Sequence, residues 1–292
     1  MKVTLLRPLT PIASALLLLS LLACAPTSPA PDEREAIRAE IAEAADGEHR
    51  SEAHRARNSD RNPVDTLDFF GLRNDMKVVE LWPGGGWYTE ILAPVLHENG
   101  QLIAASFDAD SEVEYQARIG KAYLEKLAED PDNYGAVEVV PFDPPRKSRL
   151  GEPDSADLVV SFRSLHGWIN AEISEEVFRA ALEVLKPGGT FGIVQHRAEP
   201  GSDPEETART GYIAEDHVVE LAERVGFRLD QRSEINANPR DSRDHRYGVW
   251  TLAPSMRACR DLDDESERAE CENRYREIGE SDRMTLRFVK PE

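Results

Sequence analysis

Apolar and polar positions along this chain follow two periods in alternation. Short apolar runs of strand length recur, and the segments between them return apolar residues every three or four positions. The runs are Val78 to Glu80, Gln101 to Ser106, Ala136 to Phe142, Asp157 to Phe162, Thr190 to His196, Phe227 to Ile235 and the alternating Met284 to Lys290. Helical faces are predicted on Trp87, Tyr88, Ile91, Leu92, Val95 and Leu96, and on Tyr115, Ile119, Tyr123 and Leu127 behind a Ser111 cap. Two more fall on Ile173, Val177, Leu182 and Leu185, and on Ala214 to Val225 before Gly226. Strands alternating with helices predict an α/β fold built on a doubly wound sheet. Gly248 to Leu252 reads as a further short extended piece.

The chain before Val78 follows another pattern. Lys2 and Arg7 precede an apolar run from Ile12 to Leu22, shorter than the roughly 20 residues a membrane span needs. It ends Leu21-Leu22-Ala23-Cys24, which resembles the lipobox of bacterial lipoproteins. That resemblance implies a signal peptide over residues 1–23, lipidation of Cys24 and a place in the cell envelope. Ala25 at the next position implies the outer membrane, facing the periplasm. Residues 24–60 are a tether and an N-terminal helical segment: Pro-, Ser- and Ala-rich chain, then a surface helix from Glu33 to Ala45 with weak core contacts. The segment RSEAHRARNSDRNP, with Arg55, Arg57, Asn58, Asp60 and Arg61, reads either as a solvated helix or as a lid whose arginine meets a ligand carboxylate.

The 292 residues allow one large domain over 61–292, with a charged insertion at 255–283, and the 40% hydrophobic content can form its core. A formal net charge of −20 argues against nucleic acid or anionic head groups as partners, leaving membrane contact to the lipid anchor. Three cysteines are present. Outside the cytoplasm Cys259 and Cys271 are expected to be bridged, and two cysteines without nearby partners do not complete a zinc shell, so no metal is expected.

The chemistry-bearing stretch is VVELWPGGGWYTEIL, a strand, a glycine turn and a helix start. Glycines let the backbone approach a ligand, and a helix N-terminus offers free N–H groups. The dinucleotide fingerprint is incomplete because Thr89 stands at its last glycine. Glu80-Leu-Trp82-Pro-Gly84-Gly85-Gly86 instead resembles motif I of the Rossmann-like, class I S-adenosylmethionine-dependent methyltransferases, with Trp82 where that family has its first glycine. Leu185-Lys-Pro-Gly-Gly189 before a strand resembles the same class. So do the strings I-N-A-N-P from Ile235 and G-E-S-D-R-M-T-L from Gly279, shared with envelope-associated methyltransferases of bacteria. The resemblance implies a seven-stranded sheet with an antiparallel last strand and S-adenosylmethionine as cofactor. It implies cofactor contacts at Glu80, Trp82, Gly84, Gly85 and Gly86, at Asp108 for the ribose and at Asp143 for the adenine amino group. Polar residues after the fourth and fifth strands are candidates for chemistry: Arg163 to hold an anionic substrate, His166 as a general base, and His196 on the same edge. The function expected is methyl transfer to a small molecule. The alternative is an inactive, ligand-binding envelope lipoprotein that keeps the fold, favoured by Trp82 and by the cytoplasmic origin of the cofactor.

Overall fold

The computed structural model describes Met1 and residues 31–292, so the expected signal peptide and Cys24 lie outside the described residues. Seven strands form one sheet: β1 (Lys77–Leu81), β2 (Gln101–Ser106), β3 (Glu138–Pro141), β4 (Ala156–Phe162), β5 (Leu185–His196), β6 (Arg228–Ser233) and β7 (Arg283–Val289). Their order is β3-β2-β1-β4-β5-β7-β6. β1 to β5 run parallel, and β7 inserts antiparallel between β5 and β6. This is the expected fold class. β1 is central because Val78, Val79, Glu80 and Leu81 are all buried, the near-continuous apolar run of a strand covered on both faces.

Two apolar cores lie on the two faces. One packs Trp168, Phe178, Phe191, Phe227 and Phe288. The other packs Leu67, Phe70, Ile91, Leu92 and Phe162, together with Ile37 and Ile41 of the Pro31–Asp46 helix. The expectation of weak contacts for that N-terminal helix therefore fails. Four residues at i, i+4 and i+7/8 spacing (Ile37, Ile41, Ala44, Ala45) suffice to bury one face, although the helix is otherwise charged. The Pro63–Phe70 helix lies so close to β5 that a Cβ on Gly192 would stand 2.6 Å from Phe70 Cγ. Among the described residues no helix is long and apolar enough to cross a membrane.

Three local expectations are corrected. The helix after β2 starts at Glu114, and Ser111 instead accepts from the Val113 amide within the preceding turn. Tyr115 on that helix is 59% exposed, because only Tyr123, Leu127 and Gly120 reach the sheet. Gly248–Thr251 is a 3-10 turn: Gly248 sits at φ +55 against the Thr210 carbonyl, which bends the chain out of extended form.

Candidate active site

In an open α/β sheet the ligand crevice opens at the carboxyl ends of the strands, where the winding reverses. Here that point lies between β1 and β4. Each of these strands is followed by a large residue in the left-handed region, Trp82 at φ +47 and Arg163 at φ +63. Such conformations cost on the order of 1–3 kcal/mol each and persist where surrounding structure enforces them. The Arg163 amide donates to Val194 O at 2.7 Å, and the Leu165 amide to the buried Gln195 Oε1 at 3.2 Å, so β5 holds the loop in place. Beside these two residues a cavity of about 390 Å³ reaches to the end of β5. It is lined by Trp82, Gly84, Gly85, Arg163, His166 and His196 from the sequence expectations, joined by Arg57, Arg61, Glu280 and Ser281.

Arginines dominate its floor. Arg57 Nε donates to Glu280 Oε1 at 2.6 Å, Arg61 Nε to Oε2 at 3.1 Å and Arg283 Nη1 to Oε2 at 3.1 Å. Burial alone would raise the Glu280 pKa. The Arg61, Arg283, Arg163 and Arg57 cations outweigh it and hold the group at about 2. Arg163 has no carboxylate within 4.0 Å among the described residues, and burial pulls its pKa down to about 10. Arg61 is pulled well down by burial and then by Arg163, and its guanidinium stacks on Trp87 at 4.6 Å. Arg50 covers the same indole at 4.5 Å and reaches Glu90 at 3.1 Å.

The two histidines line the same cavity, ring centroids 6.0 Å apart. Burial, and then the Arg163 charge, lowers His166 to about 4, and its Nδ1 is buried without a partner. His196 is lowered further, first by burial and then by His166, while its Nδ1 meets Ser281 Oγ at 2.5 Å. Both rings are therefore neutral near pH 7. Either can accept a proton, though a group that titrates near 4 is a weaker base than one poised near the working pH.

The β1–β2–β3 side differs. Glu80 is fully buried beneath the glycine turn, where Thr89 Oγ1 donates to Oε2 at 2.7 Å. Burial raises its pKa to about 7 against that bond and the Arg163 charge. The Trp82 indole reaches across the end of β2, lies 4.4 Å from the Phe107 ring and donates from Nε1 to Phe142 O, just past β3, at 3.2 Å. Asp108 pairs with Lys147, and Asp143 accepts from Arg146 Nε at 2.9 Å and from Nη2 at 2.5 Å. Gly86, at φ +76, shapes the turn. Glu80, Gly86, Asp108 and Asp143 thus stay off the cavity that gathers the other expected residues.

Several residues of the site carried no role in the sequence reading. Glu280, Ser281 and Arg283 sit in the G-E-S-D-R string, noted there only as a likeness. The I-N-A-N-P segment supports it: Asn238 Nδ2 donates to Glu280 O at 2.7 Å and Ile278 O at 2.8 Å, and Asn236 Nδ2 to Thr66 Oγ1 at 2.9 Å. Of the RSEAHRARNSDRNP segment, Arg57 and Arg61 face the cavity, so it is not the solvated helix of the first reading. In the insertion, Cys259 and Cys271 form a disulfide with Cα atoms 5.5 Å apart. Among the described residues no group of three or more His, Cys, Asp or Glu could hold a metal ion.

Comparisons with known proteins bear on the fold. No family model matches the chain, and no curated protein matches it. Among solved structures, the [4+2]-cyclase SpnF matches at TM-score 0.55 and 15% identity, over 89% of this chain and 96% of its own. A Haemonchus contortus phosphoethanolamine N-methyltransferase 2, solved with S-adenosyl-L-methionine, matches at TM-score 0.51 and 16% identity, over 89% of this chain and 57% of its own. A SAM-dependent methyltransferase from Aquifex aeolicus matches at 0.48 and 20%, over 68% of this chain and 93% of its own. The neighbours are largely class I S-adenosylmethionine-dependent methyltransferases, some solved with the cofactor or its demethylated product bound. At these identities the likeness establishes the Rossmann-like methyltransferase fold, and with a cyclase among the neighbours the fold alone does not set the reaction.

Proposed function

We propose that the chain is a S-adenosylmethionine-dependent methyltransferase acting on a small molecule, exported and lipid-anchored through Cys24 in the outer membrane. The observation that carries this reading is the glycine turn at the β1/β4 switch point, beside a cavity of about 390 Å³, within the range of small-ligand sites. A Cβ added at Gly84 or Gly85 would meet no atom within 4 Å, so the backbone there is open to the methionine half of the cofactor. The adenosine half does not fit as the side chains stand. Its expected place, between the ends of β2 and β3, holds the Trp82 indole, which packs at a tilt against Phe107 and donates to Phe142 O. In this reading the wild-type chain holds the cofactor by its methionine half, and contact of the adenosine half with Asp108 and Asp143 requires the indole to leave Phe107. When bound, S-adenosylmethionine supplies a methyl group on a positively charged sulfur. The chain's own part is to enclose the acceptor between Arg163 and Trp250, and to take its proton at His166 or His196, both neutral near pH 7.

The position of Trp82 favours a second reading, a binding lipoprotein that takes another ligand in the open part of the cavity. Calorimetric titration with S-adenosylmethionine separates the two. Trp82→Gly removes the indole and suits φ +47, so it is expected to bind at least tenfold tighter than the wild type. Weaker binding by the variant would make the indole a wall of the site. No binding by either protein at millimolar cofactor would leave the binding lipoprotein. The anchor has its own test: fatty-acid labelling of the wild type should vanish in Cys24→Ser.

A further inference from the structure

Three guanidinium groups share one carboxylate at the cavity, and a fourth stands beside them. Arg57, Arg61 and Arg283 contact Glu280, and Arg163 stands beside them without a carboxylate of its own among the described residues. That local excess of positive charge occurs in a chain of formal net charge −20. The hydrogen bonding is incomplete too. Arg61 is 1% exposed and lines the cavity, yet its Nη1 and Nη2 have no hydrogen-bond partner, and neither has Nε of Arg283. Buried polar groups in folded proteins are as a rule satisfied, and buried charges paired, so an unfilled set points to a ligand that completes it.

We propose that the Arg61–Arg163–Arg57 cluster binds an oxyanion, a carboxylate or phosphate carried by the methyl acceptor. The guanidinium fork matches the paired oxygens of both groups, and one oxyanion between Arg61 and Arg163 satisfies the free Nη donors while offsetting the excess charge. The other walls mix Trp82, Trp87 and Trp250 with the polar His54, Ser164 and Ser255, so the acceptor's body meets flat apolar faces and hydrogen-bonding groups together. His166 and His196 line the same cavity, near enough for the Arg163 charge to act on both. The inference rests on the methyltransferase reading for the word acceptor; the oxyanion site stands on the cluster itself.

The test uses the full-length chain with two probes, inorganic phosphate and malonate, at constant ionic strength against chloride. Trp82, Trp87 and Trp250 line the cavity, so tryptophan fluorescence reports its filling. Phosphate or malonate is expected to give a saturable change and chloride none. Arg163→Met should weaken that binding at least tenfold while Tm stays level or rises, because among the described residues Arg163 has no carboxylate within 4.0 Å and its removal relieves repulsion with Arg61, Arg57 and Arg283. Should Arg163→Met fail to fold, Arg57→Lys, which keeps the charge beside Glu280 but loses the fork, is expected to weaken binding at least threefold. A wild type that shows no saturable response, or variants that respond as it does, would overturn the site. Parallel calorimetry with S-adenosylmethionine keeps the two readings apart. Cofactor binding without oxyanion binding overturns this site alone, and oxyanion binding without cofactor binding overturns the methyltransferase alone. Phosphate that competes with the cofactor would assign the cluster to the cofactor's own carboxylate and overturn the acceptor.

Discussion

The two sides of the sheet's carboxyl edge were given the same kind of residue and handle it in opposite ways. On the β1–β2–β3 side, Asp108 and Asp143 pair with Lys147 and Arg146 of one nearby loop, and an indole fills the space between the strand ends. On the β4–β5 side the charges are buried, come from segments more than 200 residues apart, and remain partly unpaired around an open cavity. Two buried carboxylates express the contrast. Glu80, with a single hydroxyl donor, is pushed up to about 7, whereas Glu280, among arginines, is held at about 2. The closed side has satisfied itself internally. The open side has kept its charges for something else.

Breaking the open side should have the largest effect. Glu280→Gln leaves the arginines around it without their counter-charge, and removing one partner of a buried ion pair costs about 3–5 kcal/mol. Denaturant unfolding should show a loss of that order, partly restored by added phosphate. A loss near zero would mean that water already screens these cations.

The closed side is probed through pH. Between pH 4.5 and about 7 the folded chain holds a proton on Glu80 that the unfolded chain releases, so Glu80 makes stability fall as pH rises through that window. The shift from 4.5 to about 7 sets an upper bound of about 3 kcal/mol, reached above pH 7. Glu280 has the opposite sign: its contribution is full above 4.5 and lost as pH falls towards about 2. Glu80→Gln, which still accepts from Thr89, should flatten the decline from pH 5 to 8 in a series of urea melts. An unchanged decline would place the titration elsewhere.

Strands on both sides of the edge were legible in the sequence. Strand β2 matches its expected bounds, and β4 and β7 differ by one residue at one end or each end, because apolar runs between turn residues leave little freedom. Motif likeness singled out Glu80, Asp108 and Asp143 as cofactor contacts, although all three stand off the cavity. It could not show that the Trp82 side chain would cross two strands, since that depends on the φ of one residue and on the Phe142 carbonyl. The arginine cluster was out of reach for a different reason. Arg57 and Glu280 are 223 residues apart and meet only because β7 threads between β5 and β6, bringing the G-E-S-D-R string to the strand ends. A charged segment near the N-terminus and a charged insertion near the C-terminus each look solvated when taken alone.

The finest test of the contrast is Asp143→Ala made in two backgrounds. Asp143 bonds an arginine that is 62% exposed, and such surface pairs contribute roughly 0–1 kcal/mol, so the fold should be nearly indifferent to its loss. In the wild-type chain the indole stands between Asp143 and the cavity, and cofactor affinity should change less than threefold. In Trp82→Gly the carboxylate can meet the adenine amino group, and its removal should cost about 1–3 kcal/mol, roughly tenfold or more in Kd. The difference between the two losses is a coupling energy, the quantity that a double-mutant cycle isolates. Calorimetry on the four proteins measures it. Equal losses in both backgrounds would show that the indole does not cover the adenine place. No loss in either would show that Asp143 never reaches the adenine and serves only Arg146 and Gln116.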